Sequence, residues 1–185
     1  ALGERDPEID AVCSARGISI ESMFENRVAT AFGLLGLTVE PLGQGMGRVP
    51  DGVAKHLTGH WAVTYDAKVY EGGYAFSADE ERKFREYITD GDKQLKKEGI
   101  DRHYFALVST AFNSRALSTA QSLQRETKAI AFPLVQSDAL LMMIDWRLRD
   151  GAAFDIEEIE ALLCQTRVVT AELVDVAKSK RQRTR

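Results

Sequence analysis

Two short motifs carry the residue types that metal-assisted hydrolysis requires. Pro50-Asp51 is followed, fifteen residues after the aspartate, by Asp66-Ala67-Lys68, which ends an alternating apolar segment. Because successive side chains of a strand point to opposite faces, Asp66 and Lys68 should share a face that Asp51 can reach. Two carboxylates, with the Ala67 backbone carbonyl as a further oxygen ligand, can hold Mg²⁺. An ammonium beside them can orient or deprotonate a water or stabilise charge at phosphorus. The set therefore predicts hydrolysis of a phosphodiester.

Each of these residues also has a structural interpretation when it is taken alone. Pro50-Asp51-Gly52 is a common turn sequence, and Asp66 could face solvent at a strand end. Lys68 could protect a sheet edge from pairing with another chain. The residue types, order, spacing and shared face occur together here, and this combination favours catalysis.

An acidic residue on the first predicted helix is a candidate for supporting the site. Glu25 lies off the apolar stripe of that helix and could act on a metal or a water through an intervening group. Ser22 and Glu25 also match the spacing of a capping box, which would make Glu25 a helix-start residue instead.

Four further polar residues are candidates for contacts with DNA phosphates. Arg48 and Lys55 flank Asp51, although solvated surface is the ordinary role of such residues. Ser109-Thr110 ends an apolar run and could donate hydrogen bonds to a phosphate or simply cap a loop.

The apolar periodicity predicts the elements that must position these residues, and their order indicates the fold class. Helices are predicted over residues 22–35, 78–97, 114–128 and 137–148 and from 155 onward, and strands over 37–39, 48–53, 61–69, 104–108 and 129–135. Pro133 places the last strand at an edge or beside a bulge. The sequence thus predicts an α/β fold with a mixed central β-sheet flanked by helices, its first three strands a meander and the later ones joined by helical crossovers.

Composition limits the partners and the setting of the chain. The 185 residues have a net charge of −4, and without the five positive charges of residues 178–185 the remainder carries −9. An acidic body binds DNA poorly alone, so a separate recognition domain is expected to deliver it, and the chain, which begins at Ala1, is expected to be a fragment. The basic tail is interpreted as a frayed, solvated terminus, with a phosphate-binding arm or a linker as alternatives. Cys13 and Cys164 are far apart, the histidines share no ligand spacing, and no apolar run is long enough to span a membrane, so a cytoplasmic setting is predicted.

Five sequence blocks follow one another as they do in the cleavage domain of FokI-type IIS restriction endonucleases. They are Phe24-Glu25, Leu42-Gly43, Pro50-Asp51-Gly52, Asp66-Ala67-Lys68-Val69-Tyr70-Glu71-Gly72-Gly73-Tyr74 and Leu107-Val108-Ser109-Thr110-Ala111-Phe112. The chain therefore resembles that family, most specifically at Asp66 to Tyr74, where a tyrosine and a Gly-Gly-Tyr segment accompany the Asp-x-Lys triplet.

The resemblance implies the restriction-endonuclease-like fold of the PD-(D/E)xK superfamily and Mg²⁺-dependent cleavage of double-stranded DNA, with Mn²⁺ able to substitute. It implies that a separate domain reads the DNA sequence and that the products carry 5′-phosphates. Asp51, Asp66 and Lys68 match the catalytic trio, and Glu25 matches the acidic residue of the first helix. The implied organisation is a nuclease domain over 21–150, after a lead-in over 1–20 and before a C-terminal helix over 151–178 and a basic tail over 179–185.

The family also dimerises to cut both strands, through a helix that carries an acid and an arginine one turn apart. An alignment on Tyr87 places Arg82 where the family has the acid and Glu86 where it has the arginine, so the pair is reversed in sign. Such a pair can still be self-complementary across a two-fold axis. The alternative is an ordinary ion pair within one helix.

Two other functions remain open from the sequence. One is a different nuclease of the same superfamily, such as a transposon or junction-cleaving enzyme. The other is a nuclease-like domain that binds DNA or protein without cutting, and the intact trio argues against it.

Overall fold

The computed structural model describes residues 7–43, 49–70, 72–127 and 129–184. The helices are α1 (Pro7–Arg16), α2 (Ile20–Leu34), α3 (Ala78–Lys97), α4 (Ala116–Thr127), α5 (Ser137–Asp150), α6 (Glu157–Leu163) and α7 (Ala171–Thr184), with a 3₁₀ turn at Gly151–Ala153. The strands are β1 (Thr38–Pro41), β2 (Gly52–His56), β3 (Trp61–Lys68), β4 (Arg102–Ser109), β5 (Leu134–Gln136) and β6 (Val168–Val169). Across these ranges, no helix has the length and apolar character that a membrane span needs.

The strands form one mixed sheet whose spatial order is the order of the chain, β1 to β6. β1, β2 and β3 pair antiparallel, whereas β3, β4, β5 and β6 pair parallel. The predicted meander and helical crossovers are therefore confirmed. The carboxyl ends of β3 to β6 lie at one edge of the sheet, which is where open α/β sheets usually bind ligands.

Helices cover both faces of the sheet, and each face has its own apolar core. One core joins α2 and α5 to the sheet and includes Phe32, Tyr65 and Trp146. The other lies under α3 and α4 and includes Phe84 and Phe105. The predicted α/β sandwich is thus confirmed, and β3 lies between the two layers.

Helix α2 begins earlier than predicted, at Ile20 instead of residue 22. Ser19, in extended conformation, is the N-cap of α2, and its hydroxyl accepts a hydrogen bond of 3.1 Å from Ser22 N. The expected capping box of Ser22 and Glu25 is therefore wrong, because both residues lie inside the helix. Glu25 is free of a capping role and half-buried.

The C-terminal region differs from the single helix predicted over 151–178. The chain forms α6, then the short strand β6, which extends the sheet beyond β5, and then α7. Pro133 therefore does not mark an edge strand: it precedes the first residue of β5, and its carbonyl accepts a 3.1 Å hydrogen bond from Leu107 N.

The basic tail, interpreted as a frayed and solvated terminus, is helical where the structure describes it, because α7 continues to Thr184. Lys178 Nζ lies 3.7 Å from Asp145 Oδ2 on α5. Arg181 donates a 2.9 Å hydrogen bond to the Ala153 carbonyl. These contacts use basic side chains to hold α7 against the domain.

Candidate active site

The end of β3 brings together the three residues that sequence analysis placed in one site. Asp66 and Lys68 follow Thr64 at alternate positions, and Thr64 lies beneath Gly91 of α3, so all three face the α3 layer. The Lys68 ammonium contacts Asp66 Oδ1. Asp51 immediately precedes β2, the neighbouring strand, and its Oδ2 accepts a 2.6 Å hydrogen bond from Ala67 N. The two motifs therefore converge on one point.

Burial makes the carboxylates of this site hard to ionise. Asp66 is 3% exposed, and its burial raises the pKa to about 7, although Lys68 opposes the shift. Burial likewise raises the pKa of Asp51, against the opposing effects of the Ala67 N–H and Lys68. The pKa of Glu25 is raised by burial and then by the negative charge of Asp51. Ionising all three carboxyl groups would therefore place like charges where solvent screens them poorly.

Lys68 is the cation that partly balances this charge. Burial alone would lower the pKa of its ammonium, but Asp66, and after it Asp51, outweigh burial and raise the pKa. Lys68 is therefore charged in this arrangement, which suits a residue that orients a water or stabilises a phosphorane-like charge.

The donor set fits a small, hard divalent cation. Asp51 and Asp66 offer carboxylate oxygens, and burial raises the pKa of both groups. A cation between them would stabilise their charged forms. Among the described residues, no three His, Cys, Asp or Glu side chains gather closely enough to form a protein-only cage. Mg²⁺ does not need one, since it keeps several waters and commonly takes one or two carboxylates.

Sequence analysis wrongly assigned one of the DNA-phosphate contacts. Lys55 is 5% exposed, and its ammonium bonds Glu40 Oε2 at 2.8 Å and Glu98 Oε2 at 2.6 Å. A buried lysine held between two carboxylates cannot reach a phosphate without breaking both bonds. Its partners lie 15 and 43 residues away in the chain, so local sequence gave no sign of them.

The other predicted phosphate contacts are placed differently. Ser109 is fully buried, and its hydroxyl donates a 2.8 Å hydrogen bond to the Lys68 carbonyl. Ser109 of β4 therefore fixes the end of β3 by this hydrogen bond and does not face a phosphate. Thr110, just beyond β4, is half-buried, and Arg48 lies outside the described residues.

The predicted dimer pair lies on the exposed side of α3. Arg82 and Glu86 are both exposed, and Arg82 Nη2 bonds Asp79 Oδ1 at 2.7 Å. The ion pair of Arg82 is therefore with the residue three positions before it. Whether Arg82 and Glu86 meet a second chain stays a prediction.

One neighbour of the site escaped the sequence analysis. Tyr87 of α3 is buried, and burial followed by the charge of Asp66 raises the pKa of its phenol. Sequence analysis used Tyr87 only to align its helix with the family. Because this electrostatic coupling joins α3 to β3, spacing within either element carries no signal for it.

A mixed sheet with helices on both faces, carrying two carboxylates and a lysine at the end of a central strand, is the arrangement expected of the restriction-endonuclease-like fold. The family model described as "FokI, cleavage domain" matches residues 11–170. The chain belongs to the FokI cleavage-domain family, as the sequence blocks predicted.

Solved structures of restriction endonuclease FokI have the same fold. One is similar with a TM-score of 0.67 and 16% identity, over 81% of this chain and 28% of that one. FokI bound to DNA is similar with a TM-score of 0.65 and 18% identity, over 82% of this chain and 28% of that one. The chain thus spans about 28% of the length of FokI. No curated protein matches the chain in sequence.

Proposed function

We propose that this chain is the Mg²⁺-dependent cleavage module of a type IIS restriction endonuclease, which hydrolyses DNA phosphodiesters with little sequence preference of its own. The observation that carries the proposal is the convergence of Asp51, Asp66 and Lys68 at the end of β3, through the Lys68–Asp66 ion pair and the hydrogen bond from Ala67 N to Asp51. Membership in the cleavage-domain family supports it.

Asp51 and Asp66 would hold the metal, with the Ala67 carbonyl as a further oxygen ligand. When bound, Mg²⁺ polarises a phosphoryl oxygen and lowers the pKa of a coordinated water. Lys68 lies beside Asp66, where its ammonium can orient the attacking water and stabilise the charge that develops at phosphorus. Glu25 is close enough for its charge to couple to Asp51, and it would hold water on the α2 side.

The bonds broken and formed follow from an in-line attack. Water adds its oxygen to phosphorus, the bond from phosphorus to the 3′ oxygen breaks, and the products carry a 5′-phosphate and a 3′-hydroxyl. The proton that the water loses leaves through the carboxylates or solvent. Lys68 stays protonated and acts by its charge.

The partners of the module are inferred from charge and from the length of the relatives. An acidic body gains little from phosphate neutralisation, so we infer that a separate domain brings it to double-stranded DNA. A chain that spans 28% of FokI is consistent with this division. One domain has one such site, so cutting both strands requires two copies, and the exposed Arg82 and Glu86 are the proposed contact. Both cysteines are free thiols, which fits a reducing prokaryotic cytoplasm.

The decisive experiment measures plasmid nicking and linearisation by the chain fused to a DNA-binding domain. We expect Mg²⁺-dependent cutting, also supported by Mn²⁺, that Asp66→Asn abolishes. Asp175→Asn, which changes an exposed acid of α7, is the matched control and should cut normally.

Equal cutting by Asp66→Asn and the wild type would contradict the assigned site. If neither cuts while both still bind DNA, a binding-only role replaces the catalytic one. Preference for branched over linear duplex DNA would instead indicate a junction-cleaving nuclease.

A further inference from the structure

Asp51 lies outside regular secondary structure, so its position depends on groups around it. Its carbonyl accepts hydrogen bonds from Leu42 N at 2.9 Å and Gly43 N at 3.3 Å, which fix its backbone beside the end of β1. Its carboxylate accepts the Ala67 N–H. These bonds fix Asp51 relative to β1 and β3. The position of its backbone relative to α2, beneath β2, depends on side-chain packing.

On the side of α2, that packing is a contact between Gly52 and Tyr65. The two residues face each other in the β2–β3 register. A Cβ added at Gly52 would lie 2.3 Å from Tyr65 Oη and 2.6 Å from its Cζ, and 2.9 Å from the Glu40 carbonyl. No side chain fits in this space, so the phenol supports the backbone of residue 52 directly.

Tyr65 can act as a support because its ring is itself fixed. The residue is 1% exposed, and its ring lies 5.0 Å from the ring of Phe32 of α2, with an interplanar angle of 34°. α2 also carries Glu25, and the charges of Asp51 and Glu25 add to burial in raising the pKa of the Tyr65 phenol. The ring of Tyr65 is therefore packed against α2, and its phenol is close enough to Asp51 for the charge of that residue to affect it.

We propose that Tyr65 is a positioning residue for Asp51: fixed on Phe32, it supports the backbone at Gly52 and so holds the Asp51 carboxylate over the end of β3. The inference deepens the proposed function, since the role of Asp51 as a metal ligand rests on it. Without the ring, the backbone at residues 51 and 52 can move toward α2, and a misplacement of about 1 Å is enough to lower turnover about 100-fold.

The test uses a readout that needs neither DNA nor metal. The Ala67 amide reports the position of Asp51, because its hydrogen bond is to Asp51 Oδ2. The Phe105 amide, bonded to the Ala131 carbonyl at 3.1 Å, reports the stability of the sheet. Hydrogen exchange of both amides is followed by NMR in the wild type and in Tyr65→Leu.

We expect Tyr65→Leu to speed exchange at Ala67 relative to Phe105 by about tenfold or more, the effect of a local loss of about 1.4 kcal/mol. Tyr104→Leu is the matched control. Tyr104 is a buried tyrosine of the same core, and its hydroxyl bonds Glu160 Oε1 at 2.6 Å. That variant should destabilise the protein and leave the Ala67-to-Phe105 ratio unchanged.

Two milder variants keep the test decisive if Tyr65→Leu does not fold. Tyr65→Phe removes the hydroxyl oxygen, which is the atom that a Cβ at Gly52 would approach most closely, and Gly52→Ala forces the same two groups apart. An unchanged exchange ratio in all the variants that fold would overturn the proposal. In cleavage assays the same variants should lower kcat with little change in KM. A wild type that fails to cut DNA would contradict the proposed function, while the exchange ratio would still decide the role of Tyr65.

Discussion

Asp66 is a buried acid of the proposed active site, and its burial lowers the stability of the folded protein. A carboxylate that is 3% exposed and contacts one partly exposed lysine is held at a cost, which its raised pKa reports. The cost serves function if a divalent cation binds there, because the cation offsets the charge that burial leaves uncompensated.

This account predicts a pH-dependent gain in stability for Asp66→Asn without metal. The folded protein keeps the Asp66 proton up to about pH 7, whereas the unfolded chain releases it near 3.8. Wild-type stability relative to the variant should therefore fall as pH rises from about 4 to 7 and stay constant above. Thermal unfolding in EDTA across this range checks it, and Mg²⁺ at pH 8 should stabilise the wild type but not the variant. Parallel pH curves for the two proteins would refute the account.

Residue types and spacing predicted that Asp51, Asp66 and Lys68 lie together, because a strand fixes which of its side chains share a face. The same reasoning failed for Lys55, since charge alone does not reveal burial between Glu40 and Glu98, which come from two other elements. Sequence therefore finds a site whose members lie on adjacent strands more readily than it finds the contacts that surround it.

At the scale of elements, apolar periodicity predicted the central strands of the sheet but not its last strand, β6. The predicted strands over 61–69 and 104–108 match β3 and β4, whereas those over 48–53 and 129–135 share only two residues each with β2 and β5. β6 is two residues long and gives no periodic signal. Its pairing with β5 depends on α6 bringing it there. The start of α2 was missed for a related reason: Ser19 and Ser22 are both acceptable caps, and the fold decides between them.

The packing of α3 on the sheet predicts a second pH effect. His103 of β4 is 4% exposed beneath Gly91 of α3, with its Nε2 2.8 Å from Thr64 Oγ1, and burial lowers its pKa to about 4. The unfolded chain binds a proton near 6.5, so His103 lowers stability as pH falls from 6.5 toward 4, by about 1.4 kcal/mol per pH unit.

Urea unfolding of wild type and His103→Gln between pH 4 and 7 measures this effect. In His103→Gln, the decrease in the free energy of unfolding that His103 causes between pH 6.5 and 4 should disappear. Thr64→Val, which removes the hydrogen bond but keeps the imidazole, should lower stability and retain the slope. A His103→Gln protein with the full wild-type slope would show that acid sensitivity has another source.

At the scale of the whole molecule, the proposed function gives the chain one site on an acidic body, so a double-strand break would need two copies. The exposed outer side of α3 carries Arg82 and Glu86 one turn apart. Arg82 is bonded to Asp79, with both side chains more than half exposed. Such surface ion pairs contribute little to the free energy of folding. Arg82 can therefore exchange Asp79 for a partner on a second chain with little loss of stability.

Across a two-fold axis, Arg82 of each copy would meet Glu86 of the other, which predicts a charge-swap result. Arg82→Glu alone gives two acidic pairs and Glu86→Arg alone gives two basic pairs, so each fused module should nick but linearise plasmid poorly. Mixed in equal amounts, the two variants restore opposite charges at both contacts, and linearisation should recover. Asp90→Asn, at an exposed position of the same helix, should linearise normally. If each single variant linearises as fast as the wild type, or if mixing restores nothing, the modules pair through another surface.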